Sequence, residues 1–393
     1  MKPYVKYVLG VILGIGALGV SAHPYLDPAT SSLFKKWKDP QSGVESYVLE
    51  KHVAPLQMSF YFTNISYTDD GRYYWFYCAY PPSLGRVLGC IDFKTDEIFS
   101  FPETRFEDAT PAVDLKSGEA YWFAGRALYK KQPGAHGVVT LVNKLDYGNG
   151  CYSVRPATHL TFNASKTSVN IDSHDGNRWT VGELPLDGSP FIKWQEFDVC
   201  YNHGQFNPAD PDLQLIAQDH WKDGNTGQRV WYKNRIWLIR KGEKACPVYP
   251  DSYKQVKQHT HEWWSVDGSK IYYVDYDNGT ECFDLKTGKR TLVWKNGTCH
   301  SHCDKTGTYF VGDIGTYTWE NGCRLTFYNT LTGKEINIVS DFPIGYSKRG
   351  APYHADPHPQ FCLNDKYICY TTTVFGIQTV AFVSVAELVQ MTS

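Results

Sequence analysis

Six of the thirteen histidines in this 393-residue chain, His159, His203, His261, His300, His302 and His358, stand at or beside one recurring position. Imidazoles gathered in one place have two principal uses: holding a divalent cation, and moving a proton near neutral pH. His300, His302 and His358, with His354 or Gln360, form the candidate metal set. His261 opens the most regular repeat and is followed by Glu262, Trp263 and Trp264, which sets a base beside an aromatic platform for a sugar ring. Successive strand residues point to opposite sides, so only one of the two tryptophans faces the channel. His203 and Gln205 begin another unit and are suited to hydrogen-bonding sugar hydroxyls. Arg235 and Arg229 carry guanidinium forks that match a carboxylate edge. Taken singly, each residue also has a plain structural reading, as a backbone-bonded histidine or an arginine on a solvated face. The ring carries no convincing carboxylate pair of the kind that ordinary glycoside hydrolysis uses.

The elements that must position these groups repeat along the chain. Units start near Asn64, Thr110, His159, His203, His261, His300 and His358, between 39 and 58 residues apart, about one propeller blade each. The clearest reads HEWWSVDGSKIYYVDYDNGTECFDLKTGKRTLVW: a strand, an Asp-Gly turn, an apolar strand, a third strand, then Thr-Gly-Lys before a fourth. Seven such units predict an all-β fold, a seven-bladed β-propeller with four antiparallel strands per blade, in one domain over 23–393. One position of each repeat then recurs around the axis, so the histidines converge there. His302, two residues beyond His300, is expected on the same side of the strand. The stretch Val385 to Met391 reads either as a helix or as the completion of a blade.

Composition narrows the partners. Aromatic residues reach 15% while methionine falls to 3 residues, which suits pleated sheet and sugar-stacking surface. Basic and acidic residues nearly balance at 39 and 41, so no bulk field draws nucleic acid, and a polyanionic substrate needs a local basic pocket. Lys2 and Lys6 precede an apolar run from Val8 to Val20 and the small-residue site Val20-Ser21-Ala22. Residues 1–22 thus read as a signal peptide, with an apolar run too short for a membrane span. A secreted or periplasmic monomer without a membrane partner is expected. Eleven cysteines leave at least one thiol unpaired and leave one or two disulfides open. Cys299 and Cys303 lack the second pair of a structural zinc finger.

The stretches NHGQFNPADPDLQLI, NRIWLI, HEWWSVDGSKIYYVDY and DPHPQFCLNDKYICY resemble the oligogalacturonate lyases, seven-bladed propellers that cleave oligouronides by metal-assisted β-elimination. The resemblance runs over most of the chain beyond residue 22, and the first two blades match only generically. It implies His261 as the proton-abstracting base and Arg235 as partner of the substrate carboxylate. It also implies His302 (or His300) and His358 as ligands of a divalent metal, whether manganese, calcium or zinc. Asp356-Pro357-His358-Pro359 departs from the family's His-Pro-His-Pro, and the family's glutamine ligand falls at Tyr353 or Gln360.

The chain is also similar to the ulvan lyases and to propeller α-L-rhamnosidases that act on rhamnose linked to glucuronic acid. Those rhamnosidases work from the opposite face with a histidine near the first blade, and EKHVAPLQMSFYFTN offers His52 or Gln57 for that place. The candidate catalytic residues are then His261, Arg235 and His203. The candidate substrate binders are Gln205, Arg229, Trp263, His52 and Gln57, and the candidate metal ligands His302, His358, His300 and His354. Three functions stand in order: a lyase on a uronate-containing glycan, a rhamnosidase-type hydrolase on the same scaffold, and a glycan-binding propeller without catalysis.

Overall fold

The computed structural model describes residues 25–106, 109–147, 155–232, 234–249, 259–315, 322–343 and 356–393. The expected signal peptide, Cys151, Tyr353 and His354 lie outside the described residues.

Turn chemistry repeats around the ring. Thr68, Asp114, Asn163, Asn207, Ser265 and Asp304 each donate their amide across a tight turn, to the carbonyls of Tyr73, Glu119, Ser168, Leu213, Lys270 and Tyr309 respectively. Cys362 pairs with Tyr367 at the same place in the last blade. Gly268 and Gly307 hold left-handed backbone inside two of these turns, with φ of 70° and 68°, a conformation that side chains resist. Four residues upstream of each turn stand Asn64, Thr110, His159, His203, His261, His300 and His358, so the seven repeat starts are one structural position.

The turns join inner strands to second strands in seven antiparallel sheets. Blade one runs Leu56–Met58, Tyr73–Ala79, Arg86–Asp92 and Glu97–Phe106. Blades two, four, five and six repeat this four-stranded plan. Blade three keeps Ser168–Asp175, Arg178–Pro185 and Ile192–Phe197, and its inner segment is reduced to isolated bridges such as Phe162 with Val169. Blade four adds a ribbon, Trp221–Lys222 against Arg229–Val230, between its second and third strands. Blade seven has five strands and closes the ring: Gln360–Cys362, Tyr367–Thr372 and Thr379–Ser384 continue into Glu45–Leu49 and Phe34–Lys38 from the other end of the chain. The fold is the seven-bladed β-propeller expected from the repeat.

Seven hydrophobic clusters lie one at each interface between blades. Between blades six and seven, for example, Val311, Leu325 and Phe327 face Phe361, Ile368 and Tyr370. Each fully buried side chain of this size contributes about 1.5–3 kcal/mol. The ten described cysteines are free thiols, and all but Cys246 are buried, so they act there as small apolar residues. Val385–Met391 is a helix capped by the Ser384 side chain, with Leu388 buried against the last sheet.

Phe382 packs edge-on against Phe34, Tyr67, Tyr74 and Tyr367 at the closing seam. Phe382→Ala is expected to lose about 3–5 kcal/mol in urea unfolding. A loss under about 1 kcal/mol would show that this seam does not hold the ring shut.

Candidate functional site

Propeller sheets stand radially, so a regular pleat aims side chains at the flanking blades and leaves only a backbone edge toward the axis. Three inner strands break that pleat. His203 and Gly204 together oppose Ile216, His261 and Glu262 oppose Tyr273, and Cys299 and His300 oppose Asp313. Two residues against one make a bulge, which re-aims a side chain out of the ladder. His203, His261 and His358 take left-handed backbone, with φ of 52°, 50° and 43°, a region non-glycine residues seldom adopt.

These bends deliver a row of rings. The His300 ring lies 4.2 Å from His261 and 4.4 Å from His358. Tyr61 of blade one stands 4.9 Å from His358 and 5.3 Å from His159, and His159 is 5.7 Å from His203. His300, Asp356 and His358 offer three ligand atoms within 4.8 Å of one another, as do His261, Cys299 and His300. His300 Nδ1 bonds the Asp313 carboxylate at 2.8 Å, and Asp313 also accepts the His300 amide at 2.8 Å. That carboxylate fixes the ring and leaves Nε2 for a metal. His261 Nδ1 bonds the Cys299 carbonyl, so its proton sits on Nδ1 and its lone pair on Nε2. A third group, His259, Asp275 and Glu281, is closed by Arg290, which donates to both carboxylates and makes the group a structural knot.

Burial pushes His261 and His203 well below the usual histidine range; His300 and Arg235 add to it at His261, and Arg235 and His159 at His203. Burial, and then Arg155, takes His159 down to about 3. His300 is the exception: burial acts downward, but the Asp313 carboxylate outweighs it and lifts the ring well above its ordinary value. Arg235 is buried, with Glu262 oxygens at 3.3 Å from Nε and Nη2 and an Asp219 oxygen at 3.2 Å from Nη1. Burial works against the Asp219 charge, yet Arg235 outweighs it and holds the carboxyl well below the usual range.

No protein-family model matches the sequence. The oligogalacturonate lyase of Dickeya dadantii is 29% identical over 164 residues, and the oligogalacturonide lyase of Pectobacterium atrosepticum is 28% identical over the same length. Each match takes in 36% of this chain and 40% of the relative, so the chain spans well under half the length of the curated relatives it matches. Fold similarity extends around the ring. A solved oligogalacturonate lyase in complex with manganese aligns at a TM-score of 0.72 and 18% identity, over 89% of this chain and 96% of that one. The oligogalacturonate lyase of Vibrio parahaemolyticus aligns at 0.73 and 15% identity, over 90% and 96%. The chain resembles the oligogalacturonate lyases in sequence and in fold.

In the stretch that departs from the lyases' His-Pro-His-Pro, Asp356 joins the cradle beside His358, with Oδ2 3.9 Å from Nε2. His302 lies outside that cradle. Its Nδ1 accepts the Phe361 amide at 3.1 Å, and its ring packs between Trp263 and Phe361. The bulge at Cys299-His300 breaks the alternation that would have kept His302 on the side of His300. Gln360 is fully buried and donates to the Phe60 and Tyr61 carbonyls.

The expected sugar binders also go elsewhere. Gln205 donates to the Glu262 carbonyl at 2.7 Å and ties blade four to blade five. Trp263 is 3% exposed and stacks on Tyr272, so it serves the core. Trp263, Trp264 and His302 line a separate cavity of about 480 Å³ at the end where inner strands turn back. Arg229 is exposed on the blade-four ribbon, its guanidinium 4.5 Å over Trp231. Gln57 is fully buried, accepting the Val53 amide and donating to the Lys51 carbonyl and Thr379. His52, between the two residues whose backbone Gln57 binds, is half-buried. Residue spacing gave no sign of Asp313 or Tyr61, and it marked Cys299 only as half of an incomplete zinc pair, not as the carbonyl that holds His261. Asp356 showed only as a departure from a motif.

His159 and His302 are held neutral by burial, His159 down to about 3 and His302 to about 4. The unfolded chain takes up protons at both below about pH 6.5, so it binds more protons than the folded chain and stability declines on acidification through that window. Urea unfolding at about pH 7 and about pH 4.5 should show a smaller acid loss for His159→Gln than for the wild type. Equal losses would mean that His159 takes no part in that decline.

Proposed function

We propose that the channel site cleaves a uronate-containing glycan, an oligogalacturonide in the first instance, by β-elimination. The observation that carries this reading is the contiguous row His261, His300 and His358 with Asp356, in which one imidazole has an available Nε2 and the next three groups form a cation cradle. The C5 hydrogen of a uronate is too weakly acidic for imidazole unless the carboxylate charge is offset. A divalent cation held by His300, Asp356 and His358 would supply that offset. Two imidazoles and a carboxylate suit manganese or zinc better than calcium, which prefers oxygen ligands throughout.

Each protein group then has a task. Asp313 orients His300, and the Cys299 carbonyl orients His261 so that Nε2 faces the substrate. Burial keeps His261 neutral, so it needs no prior deprotonation to act as a base. Arg235 is fixed by Glu262 and Asp219. Of its five N–H groups, the two not directed at those carboxylates are available to the uronate carboxylate. The named activity of the two curated relatives and the manganese in one solved neighbour support the substrate and metal class. The signal peptide read at residues 1–22 supports export, so the substrate is a periplasmic or extracellular glycan. Of the two residues that the hydrolase reading could use, Gln57 is taken up by Val53, Lys51 and Thr379, which leaves His52.

The test offers oligogalacturonides, ulvan and rhamnose-capped arabinogalactan to the protein and follows the ultraviolet band of unsaturated uronate together with free rhamnose. The expected result is new absorbance with oligogalacturonides, lost with a chelator and cut by about 10²–10⁴ in His261→Ala. Asp313→Asn should raise the manganese concentration for half-maximal rate by about 10–100-fold. Rhamnose release without absorbance would contradict the proposal.

A further inference from the structure

Blade one puts no histidine at the shared position; Asn64 there donates to the Pro111 and Leu160 carbonyls at 3.2 and 2.7 Å. Three residues earlier the same inner segment sends Tyr61 to the axis. The Tyr61 ring stacks on His159 at 5.3 Å, meets His358 edge-on at 4.9 Å, and stands 6.1 Å from His300. It therefore touches blades three, six and seven at once. Several polar groups of the row are tied, His300 to Asp313, His261 to Cys299 and Arg235 to Glu262. Among the described residues, the Tyr61 hydroxyl has no hydrogen-bond partner. Packing alone does not call for that oxygen, since the adjacent Phe62 meets His261 and His300 with a bare ring.

Elimination needs a second proton-transfer group. A sugar alkoxide leaves poorly, and protonation of the leaving oxygen is the ordinary remedy. We propose that Tyr61 is the general acid of this reaction, donating its phenolic proton to the glycosidic oxygen that departs from C4. The inference rests on the elimination reading above. His261 Nε2 takes the C5 proton, and the C5–H electron pair becomes the C4=C5 double bond. The C4–O bond breaks with its electrons on oxygen, and that oxygen takes the Tyr61 proton to become the hydroxyl of the released sugar. Proton exchange with water then returns imidazolium and phenolate to their starting states.

Tyr61→Phe keeps the ring and removes the proton donor. On oligogalacturonides its kcat should fall by about 10²–10⁴ with little change in KM. Solvent deuterium should still enter C5 of recovered substrate, which shows the base half intact. A synthetic uronide carrying 4-nitrophenoxide at C4 needs no acid and should be cleaved at the wild-type rate, whereas His261→Ala should lose all three reactions. Without any variant, wild-type kcat/KM should differ little between the aryloxide and sugar leaving groups. The proposal is overturned if Tyr61→Phe cleaves oligogalacturonides normally, if it loses the aryloxide substrate in the same proportion, or if the wild type strongly prefers the aryloxide. A wild type that forms no unsaturated product from any uronide removes the elimination reading itself, and that outcome is visible before any variant is made.

Discussion

A strand at the axis of a propeller has its pleat turned sideways, toward its neighbours, and the whole site depends on escaping that constraint. In blades four, five and six the escape is a two-against-one bulge, and in blades four, five and seven the histidine itself takes left-handed backbone. Such conformations cost on the order of 1–3 kcal/mol each and persist only where the surroundings over-determine them. Here the surroundings are seven packed interfaces and a seam that welds both ends of the chain into one sheet. The ring's apolar packing and the strain at its centre are two sides of one design.

Electrostatics follows from the same burial. Imidazoles crowded within 4–6 Å of one another cannot all be charged where they are buried, and desolvation keeps most of them neutral. Charge enters only where a partner is supplied: Asp313 behind His300, and Glu262 with Asp219 around Arg235. Imidazole nitrogens facing a channel, one of them backed by a carboxylate, make a place that attracts a cation and then an anion beside it. The site is thus polarised by groups that do not themselves need to meet a substrate.

The ring was legible in the sequence because its signals are local. Asp-Gly and Thr-Gly turns, and a histidine four residues before five of the seven turns, can be counted along the chain, and these starts correspond to one structural position in seven blades. What alternation predicted within a strand failed at the bulges. His302 was expected beside His300 and instead packs against Phe361, because two residues replace one at Cys299-His300. Trp263 and Gln205 carry side chains suited to sugars, yet the pleat turns them into the blade interfaces. Asp313 meets His300 across the blade-six hairpin, opposite the bulge, and Tyr61 comes near His300 only when the ring closes around the axis.

The account stands on elimination at a histidine-lined channel, and the fate of solvent oxygen tests that most directly. Cleavage of an oligogalacturonide in ¹⁸O-enriched water, followed by mass spectrometry of both fragments, should show no ¹⁸O at the broken bond and one fragment lighter than its hydrolytic counterpart by one water. Incorporation of one ¹⁸O at the broken bond, with no unsaturated fragment, would contradict it.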